Sequence, residues 1–358
     1  MGLIAARRYS SCMHGGRVGH LVDRHPTVTP ERLIAQLRPP PTFADVSFAT
    51  YRPDPAEPSQ AAAVAACQEF CRQAVERRAG RRKLLGGRAA LPGVGLYLDG
   101  GFGVGKTHLL ASAYYQLPGE GPEPPTPKAF ATFGELTQLA GVFGFAECIE
   151  LLAGYTAVCI DEFELDDPGN TTLISRLLSS LVERGVSVAA TSNTLPEQLG
   201  EGRFAAQDFL REINTLASIF TTVRIEGPDY RHRGLPPAPQ PLSDDEVTAR
   251  AATVDGATLD DFDALCAHLA TMHPSRYLTL IEGVTAVFLT GVHGIDDQNV
   301  ALRLVSLTDR LYDAGIPVVA SGARLDGIFS EEMLAGGYRK KYLRATSRLV
   351  ALTRAREP

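Results

Sequence analysis

Apolar runs of strand length alternate with helical patterns through the first two thirds of the chain. An alanine-rich helical stretch at residues 59–78 precedes the first of these runs. Strands separated by helices pair in parallel through right-handed βαβ units, so the pattern predicts an α/β fold with a parallel sheet flanked by helices. The predicted strands are "VGLYLD" before a glycine-rich loop, "KAFATF" at 128–133, "TAVCID" at 156–161, "VSVAAT" at 186–191 and "FTTVRI" at 220–225.

Breaks in this pattern divide the chain into four segments. Three consecutive prolines close an N-terminal arm, residues 1–42, which we expect to be partly disordered apart from a short helix capped by Thr29. The predicted sheet occupies residues 43–226. The stretch that follows, residues 227–255, is rich in proline and charge and is typical of a linker. Residues 256–358 predict a second, smaller α/β domain.

The second domain repeats part of the first. "TAVCIDEFELDD" at 156 is matched by "TAVFLTGVHGIDD" at 285. Independent βαβ patterning and an ancient duplication both account for this match. The second copy has Thr290 and Gly291 in place of Asp161 and Glu162, and no glycine-rich loop precedes it. We therefore expect the C-terminal domain to have no nucleotide site of its own.

The composition is that of a mildly acidic protein with a substantial core. Of 358 residues, 44% are hydrophobic and 21% are charged, and the formal net charge of -6 argues against a protein that coats nucleic acid. No apolar run approaches the roughly 20 residues that span a bilayer. The arginine-containing N-terminus lacks the apolar stretch of a secretory signal, which leaves a mitochondrial presequence or a disordered start. The scattered cysteines fit buried thiols in a reducing compartment, so we expect a cytoplasmic protein.

A glycine-rich loop follows the first predicted strand and opens a predicted helix. Its sequence satisfies G-x-x-x-x-G-K-[ST]. In such a loop the backbone N–H groups and the helix N-terminus bind phosphate, Lys106 reaches the β- and γ-phosphates, and the Thr107 hydroxyl ligates Mg²⁺. We therefore predict a site for ATP and Mg²⁺. The predicted nucleotide-binding residues are Gly100, Gly101, Phe102, Gly103, Val104, Gly105, Lys106, Thr107 and His108.

Polar side chains end the next strands along the chain. Asp161 and Glu162 follow the apolar run "AVCI", where an aspartate holds Mg²⁺ and an adjacent glutamate polarises the attacking water. Asn193 ends the following strand and is predicted to hold that water against the γ-phosphate, with a simple turn or helix cap as the alternative. The acid pair favours ATP hydrolysis that drives conformational work over a kinase, which needs a second substrate pocket.

Beyond the loop, several motifs follow one another in a fixed order. They are "DEF", a helix, "ATSN", "FLREI" and "DYR", with "FATYRPDPAEPSQ" before the sheet and "RATSRL" near the end. In this order they resemble the ZapE family of AAA+-type P-loop ATPases, which includes mitochondrial AFG-like members. The resemblance covers residues 43–352, nearly the whole chain.

The resemblance implies an oligomeric ring ATPase that remodels a protein partner. Bacterial members associate with the division machinery and destabilise polymers of the tubulin-like division protein, and mitochondrial members serve protein quality control. It thus implies a homo-oligomer at the division site or the inner face of the membrane, with peripheral membrane association. A helicase-loader-like, DNA-associated ATPase is the alternative, although the acidic chain offers no helix-turn-helix pattern and argues against nucleic acid as the partner.

The chain departs from the family's pattern at the arginine finger, a residue that acts on the nucleotide of a neighbouring subunit. Family members carry an arginine three residues before the phenylalanine of "FLREI", and this chain has Ala206 there. The resemblance leaves Arg203 and Arg211, on either side, as catalytic candidates. Loss of such a finger typically costs orders of magnitude in turnover.

Two further groups of basic residues leave alternatives open. Arg344 and Arg348 in "RATSRL", and Arg231 in "DYRHR", resemble family arginines that either contact nucleotide or form structural ion pairs. A basic patch is either a solvated helix end or a docking site for anionic lipid or nucleic acid. Its members are Arg77, Arg78, Arg81, Arg82, Lys83 and Arg88.

Overall fold

The computed structural model describes residues 18–27, 29–83, 91–101, 103–119, 127–165, 168–196, 199, 209–228 and 238–354. Two parallel sheets with packed helices lie in these ranges. The strands are β1 Gly95–Gly100, β2 Lys128–Thr132, β3 Ala157–Asp161, β4 Ser187–Ser192, β5 Thr221–Ile225, β6 Ala257–Asp261, β7 Ala286–Val292 and β8 Val318–Gly322. The helices are α1 Pro30–Ala35, α2 Pro58–Lys83, α3 Lys106–Gln116, α4 Phe133–Phe143, α5 Phe145–Ala153, α6 Pro168–Glu183, α7 Leu210–Ile219, α8 Asp244–Ala251, α9 Phe262–Ala270, α10 Tyr277–Leu280, α11 Gln298–Ala314, α12 Glu331–Ala335 and α13 Arg339–Leu352.

The larger sheet has the strand order β2-β3-β4-β1-β5, and each pair of neighbours is parallel. β3 and β4 are buried along their whole length, as expected for a parallel sheet with helices on both faces. Successive residues of β1 face opposite cores: Leu96 and Leu98 pack with α2 and α3, whereas Tyr97 packs with α4 to α7. The structure confirms the predicted α/β fold with a parallel sheet flanked by helices.

The C-terminal domain is built on a parallel sheet with the strand order β6-β7-β8. Alternate residues of β7 again face different cores, because side chains on a strand point to opposite sides in turn. Val287 and Leu289 pack with α9, α11 and α13, whereas Ala286 and Phe288 pack with α8. This confirms the predicted second, smaller α/β domain.

The C-terminal domain begins earlier than its predicted boundary. Within the segment predicted as a linker, residues 227–255, α8 packs on the smaller sheet, and Val247 and Ala251 are buried beside Phe288. The linker prediction is therefore wrong for this part, and residues 229–237 lie outside the described ones. The helical periodicity of this segment consists of two apolar residues at positions four apart in the sequence. The surrounding charged residues and prolines obscured this pattern.

Residues 18–25, predicted to lie in a partly disordered arm at 1–42, pack instead on the C-terminal domain. Gly19 forms a parallel bridge beside β6, and Leu21 is fully buried in that domain's core. The backbone N–H of Leu21 donates a hydrogen bond of 3.0 Å to the carboxylate of Asp260. This docking could not be predicted, because a short segment with one fully buried leucine has no recognisable periodicity.

The next part of the same arm packs on the larger sheet. Thr29 caps α1 as predicted, its hydroxyl accepting a hydrogen bond of 3.4 Å from the N–H of Arg32. Leu33 and Leu37 are buried in the core of the first domain, and the Leu37 carbonyl accepts a hydrogen bond of 3.0 Å from Phe130 in β2. Two neighbouring parts of the arm therefore contact different domains.

The cysteines and the apolar helices bear on two expectations from composition. Cys12 lies outside the described residues, and the other five cysteines are buried and free of disulfides. In the described ranges, no single helix is long and apolar enough to cross a membrane. The helices α4 and α5, bent by 115° at their junction, reach that length and apolar composition together. Leu136, Leu139 and Leu152 of this pair are buried in the core of the first domain.

Candidate functional site

The glycine-rich loop lies between the end of β1 and the start of α3. Gly103 and Gly105 have φ angles of 71° and 87°, a backbone region that side chains with a Cβ atom rarely adopt. A Cβ atom at Gly105 would approach the ring of Tyr51 to 2.5 Å. The loop thus turns tightly and leads into the N-terminus of α3, where backbone N–H groups and the positive dipole end suit an anion.

Lys106 is the first residue of α3, and its side chain points back into the loop. Its Nζ donates hydrogen bonds to the carbonyls of Gly100 at 2.9 Å and Gly101 at 2.6 Å. It also lies 2.8 Å from Oδ1 of Asn193, which follows β4. The structure therefore brings the lysine predicted to bind phosphate into direct contact with the asparagine predicted to hold the attacking water.

Asp161 ends β3 and is buried between two hydroxyl groups. The Thr107 hydroxyl donates to its Oδ1 at 3.1 Å, and the Thr191 hydroxyl of β4 forms a short hydrogen bond to the same oxygen. Burial raises the pKa of Asp161, and the negative charge of Glu162 raises it further, while the two hydroxyl donors act in the opposite direction.

These groups fit the implied Mg²⁺ ion. Magnesium prefers hard oxygen ligands and is usually held by one or two carboxylates together with substrate phosphates. The Thr107 hydroxyl and the Asp161 carboxylate are adjacent, and both border the glycine-rich loop. A cation there would also compensate the charge of a carboxylate that burial disfavours.

Glu162 has a strained backbone. Its φ angle of 54° is the only positive φ found at a non-glycine residue in the described ranges. Its N–H donates to the Thr191 hydroxyl at 3.1 Å, which helps to hold the turn after β3. Backbone strain of this kind is typical of residues at functional sites.

The carboxylate of Glu162 pairs with two arginines of the C-terminal domain. Arg344 Nη1 lies 3.2 Å from Oε2, and Arg348 Nη2 lies 3.3 Å from Oε1. Of the two alternatives for these arginines, the structure shows the ion pairs, and the partner is the predicted catalytic base. Contact with nucleotide stays a prediction.

Asp309, on α11, was not predicted and holds both arginines from the other side. Its Oδ2 lies 2.6 Å from Arg344 Nη2, and its Oδ1 pairs closely with Arg348 Nη1. Burial alone would raise the pKa of Asp309, but the charges of the two arginines outweigh burial and hold it below its usual value.

Glu164 is a second residue that the sequence reasoning missed. Its buried carboxylate accepts hydrogen bonds from the Ser192 hydroxyl at 2.9 Å, the Asn193 N–H at 3.3 Å and the Thr194 hydroxyl at 3.3 Å. It therefore fixes the turn that presents the Asn193 side chain. The third acid of "DEFE" was the only available signal. Lys340 of α13 adds a bond of 2.9 Å to the Asn193 carbonyl.

The remaining predicted residues lie farther from this cluster or outside the described ranges. His108 contacts the lead-in segment, with Nε2 2.9 Å from the Thr50 hydroxyl and 3.1 Å from the Ser47 carbonyl. Arg211 is exposed on α7 and does not line the cleft described below. Phe102, Arg203, Ala206, Arg231 and Arg88 lie outside the described residues, as do the side chains of Arg81, Arg82 and Lys83.

A cleft of about 1030 Å³ connects these groups with the C-terminal domain. Its walls are the glycine-rich loop, the ends of β3 and β4, and the facing sides of α11 and α13. Arg310 of α11 pairs with Glu135 of α4 across it at 2.9 Å. Burial raises the pKa of Asp313, also on α11, to about 7, although the charge of Arg348 opposes the shift.

The fold and the site define the class of protein: a P-loop NTPase with a second α/β domain on its C-terminal side. The AFG1-like ATPase family matches residues 27–244 and 237–357, and the chain therefore belongs to that family.

Named relatives agree with this membership. The cell division protein ZapE of Escherichia coli K12 is 28% identical over 262 residues, which cover 63% of this chain and 70% of that protein. Lactation elevated protein 1 homolog B of Danio rerio is 26% identical over 242 residues, which cover 57% of this chain and 47% of that protein.

Solved structures with similar coordinates include a domain of a DnaA protein and DnaI. Domain III of the Thermotoga maritima replication initiation protein DnaA is 20% identical, covers 53% of this chain and 69% of that one, and gives a TM-score of 0.37. DnaI is 19% identical, covers 55% of this chain and 98% of that one, and gives a TM-score of 0.38.

Proposed function

We propose that this chain hydrolyses ATP with Mg²⁺ and uses the reaction to remodel a protein partner. The observation that carries the proposal is the convergence of five groups on one cleft at the carboxyl edge of the larger sheet. They are Lys106, Thr107, Asp161, Glu162 and Asn193. Ligands of parallel α/β sheets bind at this edge. Membership of the AFG1-like ATPase family supports the reaction class.

The glycine-rich loop and α3 supply the phosphate site. Backbone N–H groups at the start of α3 would bind the anion, and Lys106 would bind the β- and γ-phosphates from inside the loop. Thr107 and Asp161 hold Mg²⁺, which neutralises charge on the transferred phosphoryl group when bound. Asn193, fixed by Glu164 and in contact with Lys106, orients the attacking water.

Glu162 serves as the general base in this proposal. Its carboxylate is partly exposed to the cleft, with 26% of the side chain accessible, so water can reach it. Positioned carboxylates that accept a proton from the attacking water typically contribute about 10²- to 10⁴-fold to a rate. Because the same carboxylate pairs with the C-terminal domain, chemistry at Glu162 is linked to the position of that domain.

The remodelled partner is a component of the cell division apparatus, and the polymer of the tubulin-like division protein is the one we propose. The support is the named relative, the cell division protein ZapE, together with the order of motifs shared with that family. We further propose that the chain assembles as a homo-oligomeric ring, with Arg203 or Arg211 acting on a neighbouring subunit.

The test is ATP turnover by the purified full chain, with Mg²⁺ and with a chelator. Each condition is repeated with polymerised tubulin-like division protein and with single-stranded DNA. We expect turnover that needs Mg²⁺ and rises with the polymer. Stimulation by DNA alone would contradict the division partner and favour a DNA-associated ATPase.

A matched pair of variants tests the assignment of the base. Glu162→Gln should bind a fluorescent ATP analogue like the parent chain but lose turnover by at least about 10²-fold. Glu150→Gln makes the same chemical change at an exposed residue of α5 that pairs with Arg184, and it should turn over normally. Normal turnover by Glu162→Gln would overturn the assignment. Light scattering of Glu162→Gln with ATP should report an oligomer.

A further inference from the structure

We propose that Asp309 is a positioning residue for hydrolysis: it holds Arg344 and Arg348 so that they fix the carboxylate of the base, Glu162. The inference rests on the proposed function, because it takes Glu162 as the base. Its consequence is that the C-terminal domain, which we expect to have no nucleotide site, completes the hydrolysis site of the first domain.

The four side chains form a closed ring of alternating charge. Each arginine forms an ion pair with one oxygen of Asp309 and one oxygen of Glu162. The N–O distance from Arg344 to Asp309 is 2.6 Å, whereas that from Arg344 to Glu162 is 3.2 Å. The arginines are therefore anchored on Asp309 within their own domain, and they reach Glu162 more loosely from that anchor.

The ring is built on rigid elements. Arg344 and Arg348 lie one turn apart on α13, so both extend from the same face of the helix. Each keeps only 8% of its side chain exposed, and the Arg348 guanidinium lies 5.0 Å from the centre of the Tyr312 ring. Asp309 and Tyr312 both belong to α11, which packs against α13.

Glu162 depends on this ring for its orientation. Among the described residues of its own domain, the hydrogen bond that holds Glu162 is the backbone N–H bond to Thr191. Within the described residues, the only hydrogen bonds and ion pairs of its carboxylate are those to Arg344 and Arg348. Oε1 accepts one guanidinium N–H from Arg348, Oε2 forms an ion pair with Arg344, and both oxygens keep lone-pair capacity for water, so the ring orients the base without blocking it.

Charge balance gives Asp309 its role. Two arginines face two carboxylates, and the further charged groups around them are Asp161, Glu135, Arg310 and Asp313. Without the charge of Asp309, Glu162 would be the one carboxylate among the described residues in direct ion pairs with the two guanidinium groups, and their attraction would draw its carboxylate away from the water. Removing one partner of a buried charge cluster leaves such an imbalance uncompensated.

The decisive experiment compares Asp309→Asn with Asp313→Asn in the full chain. Asp313 is four residues later on the same helix and lines the same cleft, but among the described residues it hydrogen-bonds to neither arginine. We expect Asp309→Asn to lower kcat by about 10- to 100-fold, as is typical for partners that orient reacting groups. Its affinity for a fluorescent ATP analogue should change by less than about 2-fold, because the phosphate site is untouched.

Conservative and double variants separate positioning from a purely structural role. Asp309→Glu should recover part of kcat, because it restores the charge. Adding Asp309→Asn to Glu162→Gln should cause no further loss of kcat, because the residue acts through the base. If Asp309→Asn does not fold, the charge-balanced variant Asp309→Asn with Arg344→Gln is measured instead, and it should show the same loss of kcat at unchanged affinity.

Several outcomes would overturn the inference. One is unchanged or raised kcat in Asp309→Asn, since a rise would mean that the ring restrains the base. Equal losses in Asp309→Asn and Asp313→Asn, or a full further loss on top of Glu162→Gln, would indicate a structural role. If the parent chain binds ATP but does not hydrolyse it, the proposed function fails as well, and that result is distinct from hydrolysis that ignores Asp309.

Discussion

The side chain of Lys106 contacts that of Asn193, with 2.8 Å between Nζ and Oδ1. The two residues are far apart in the chain, and they meet because β1 and β4 are neighbours in the larger sheet. The contact connects the lysine that we propose to bind phosphate with the asparagine that we propose to orient water. In the proposed mechanism, Asn193 is therefore the residue that would connect phosphate binding to hydrolysis.

Replacing Asn193 should separate turnover from binding. In Asn193→Ala we expect kcat to fall by about 10²-fold, because one preorganised polar group is lost from the site, while ATP affinity falls only a few-fold. Steady-state turnover and a fluorescence titration measure the two quantities. Asn214→Ala, an exposed asparagine of α7, is the control and should change neither. A loss of affinity as large as the loss of kcat would contradict the role in orienting water.

Replacing Thr191 should reduce both stability and turnover. The Thr191→Val variant keeps the shape but removes the hydroxyl that donates to Asp161 and accepts from the N–H of Glu162. Leaving buried partners unsatisfied costs about 1–3 kcal/mol, so the free energy of unfolding in urea should fall by that amount.

The control for this variant is Thr215→Val. Thr215 is exposed on α7, where its hydroxyl donates to a helix carbonyl. The two substitutions are chemically identical, so a difference between them reports the site of Thr191. Equal free energies of unfolding in the two variants would contradict the bridging role of Thr191.

Asp313 should make stability depend on pH between about 4 and 7. Its pKa is raised from 3.8 to about 7 in the folded chain, so the native state binds more protons than the unfolded state in this range. Stability therefore falls as pH rises through it. Asp313→Asn removes this loss of stability. The difference in melting temperature between this variant and the parent chain should therefore increase from pH 5 to pH 8.

The expected gain from Asp313→Asn at pH 8 is about 1–2 kcal/mol. The full pKa shift of Asp313 would correspond to about 4 kcal/mol of unfolding free energy, but water in the cleft screens the charge and reduces this value. The lowered pKa of Asp309 makes stability depend on pH below about 3.8, which is outside the pH range in which Asp313 titrates. A difference in melting temperature that stays constant from pH 5 to pH 8 would refute the assignment to Asp313.

The docking of residues 18–25 can be tested by truncating one side chain. Leu21 is fully buried in the core of the C-terminal domain, so Leu21→Ala should destabilise that domain by about 2–5 kcal/mol. Leu210, half exposed at the start of α7, is the matched control and should have little effect. Urea unfolding followed by circular dichroism measures both variants. Equal urea midpoints for the two variants would mean that the segment contributes little to the stability of the domain.

Local patterns in the sequence were enough for much of the larger sheet. Each strand is a short apolar run, and the glycine-rich loop has a fixed spacing, so the positions of Lys106, Thr107 and Asp161 followed from neighbouring residues alone. Lys106 and Asn193 were each assigned a role near the γ-phosphate, but their direct contact was not predicted, because it depends on β1 and β4 being neighbours in the sheet. The role of each residue in catalysis stays a prediction.

Long-range packing explains what the sequence analysis missed. Asp309 lies in "SLTDRLYDAG", where it resembles a solvent-facing acid on an amphipathic helix. Its burial depends on α11 facing the first domain, and no local pattern contains that arrangement. Leu21 and Val247 were missed for a related reason: each contributes a single anchor or a short face to a core built from distant parts of the chain.

The docking of residues 18–25 can occur only late in the synthesis of the chain. Leu21 and Asp260, which bond to each other, are 239 residues apart in the chain. At a translation rate of about 5–20 residues per second, roughly 12–50 seconds pass before the early segment meets its partner strand. The larger sheet can form on the ribosome in that interval. The ion-pair ring around Glu162 must wait for α13, so a nascent chain would complete the proposed phosphate site before the proposed base is oriented.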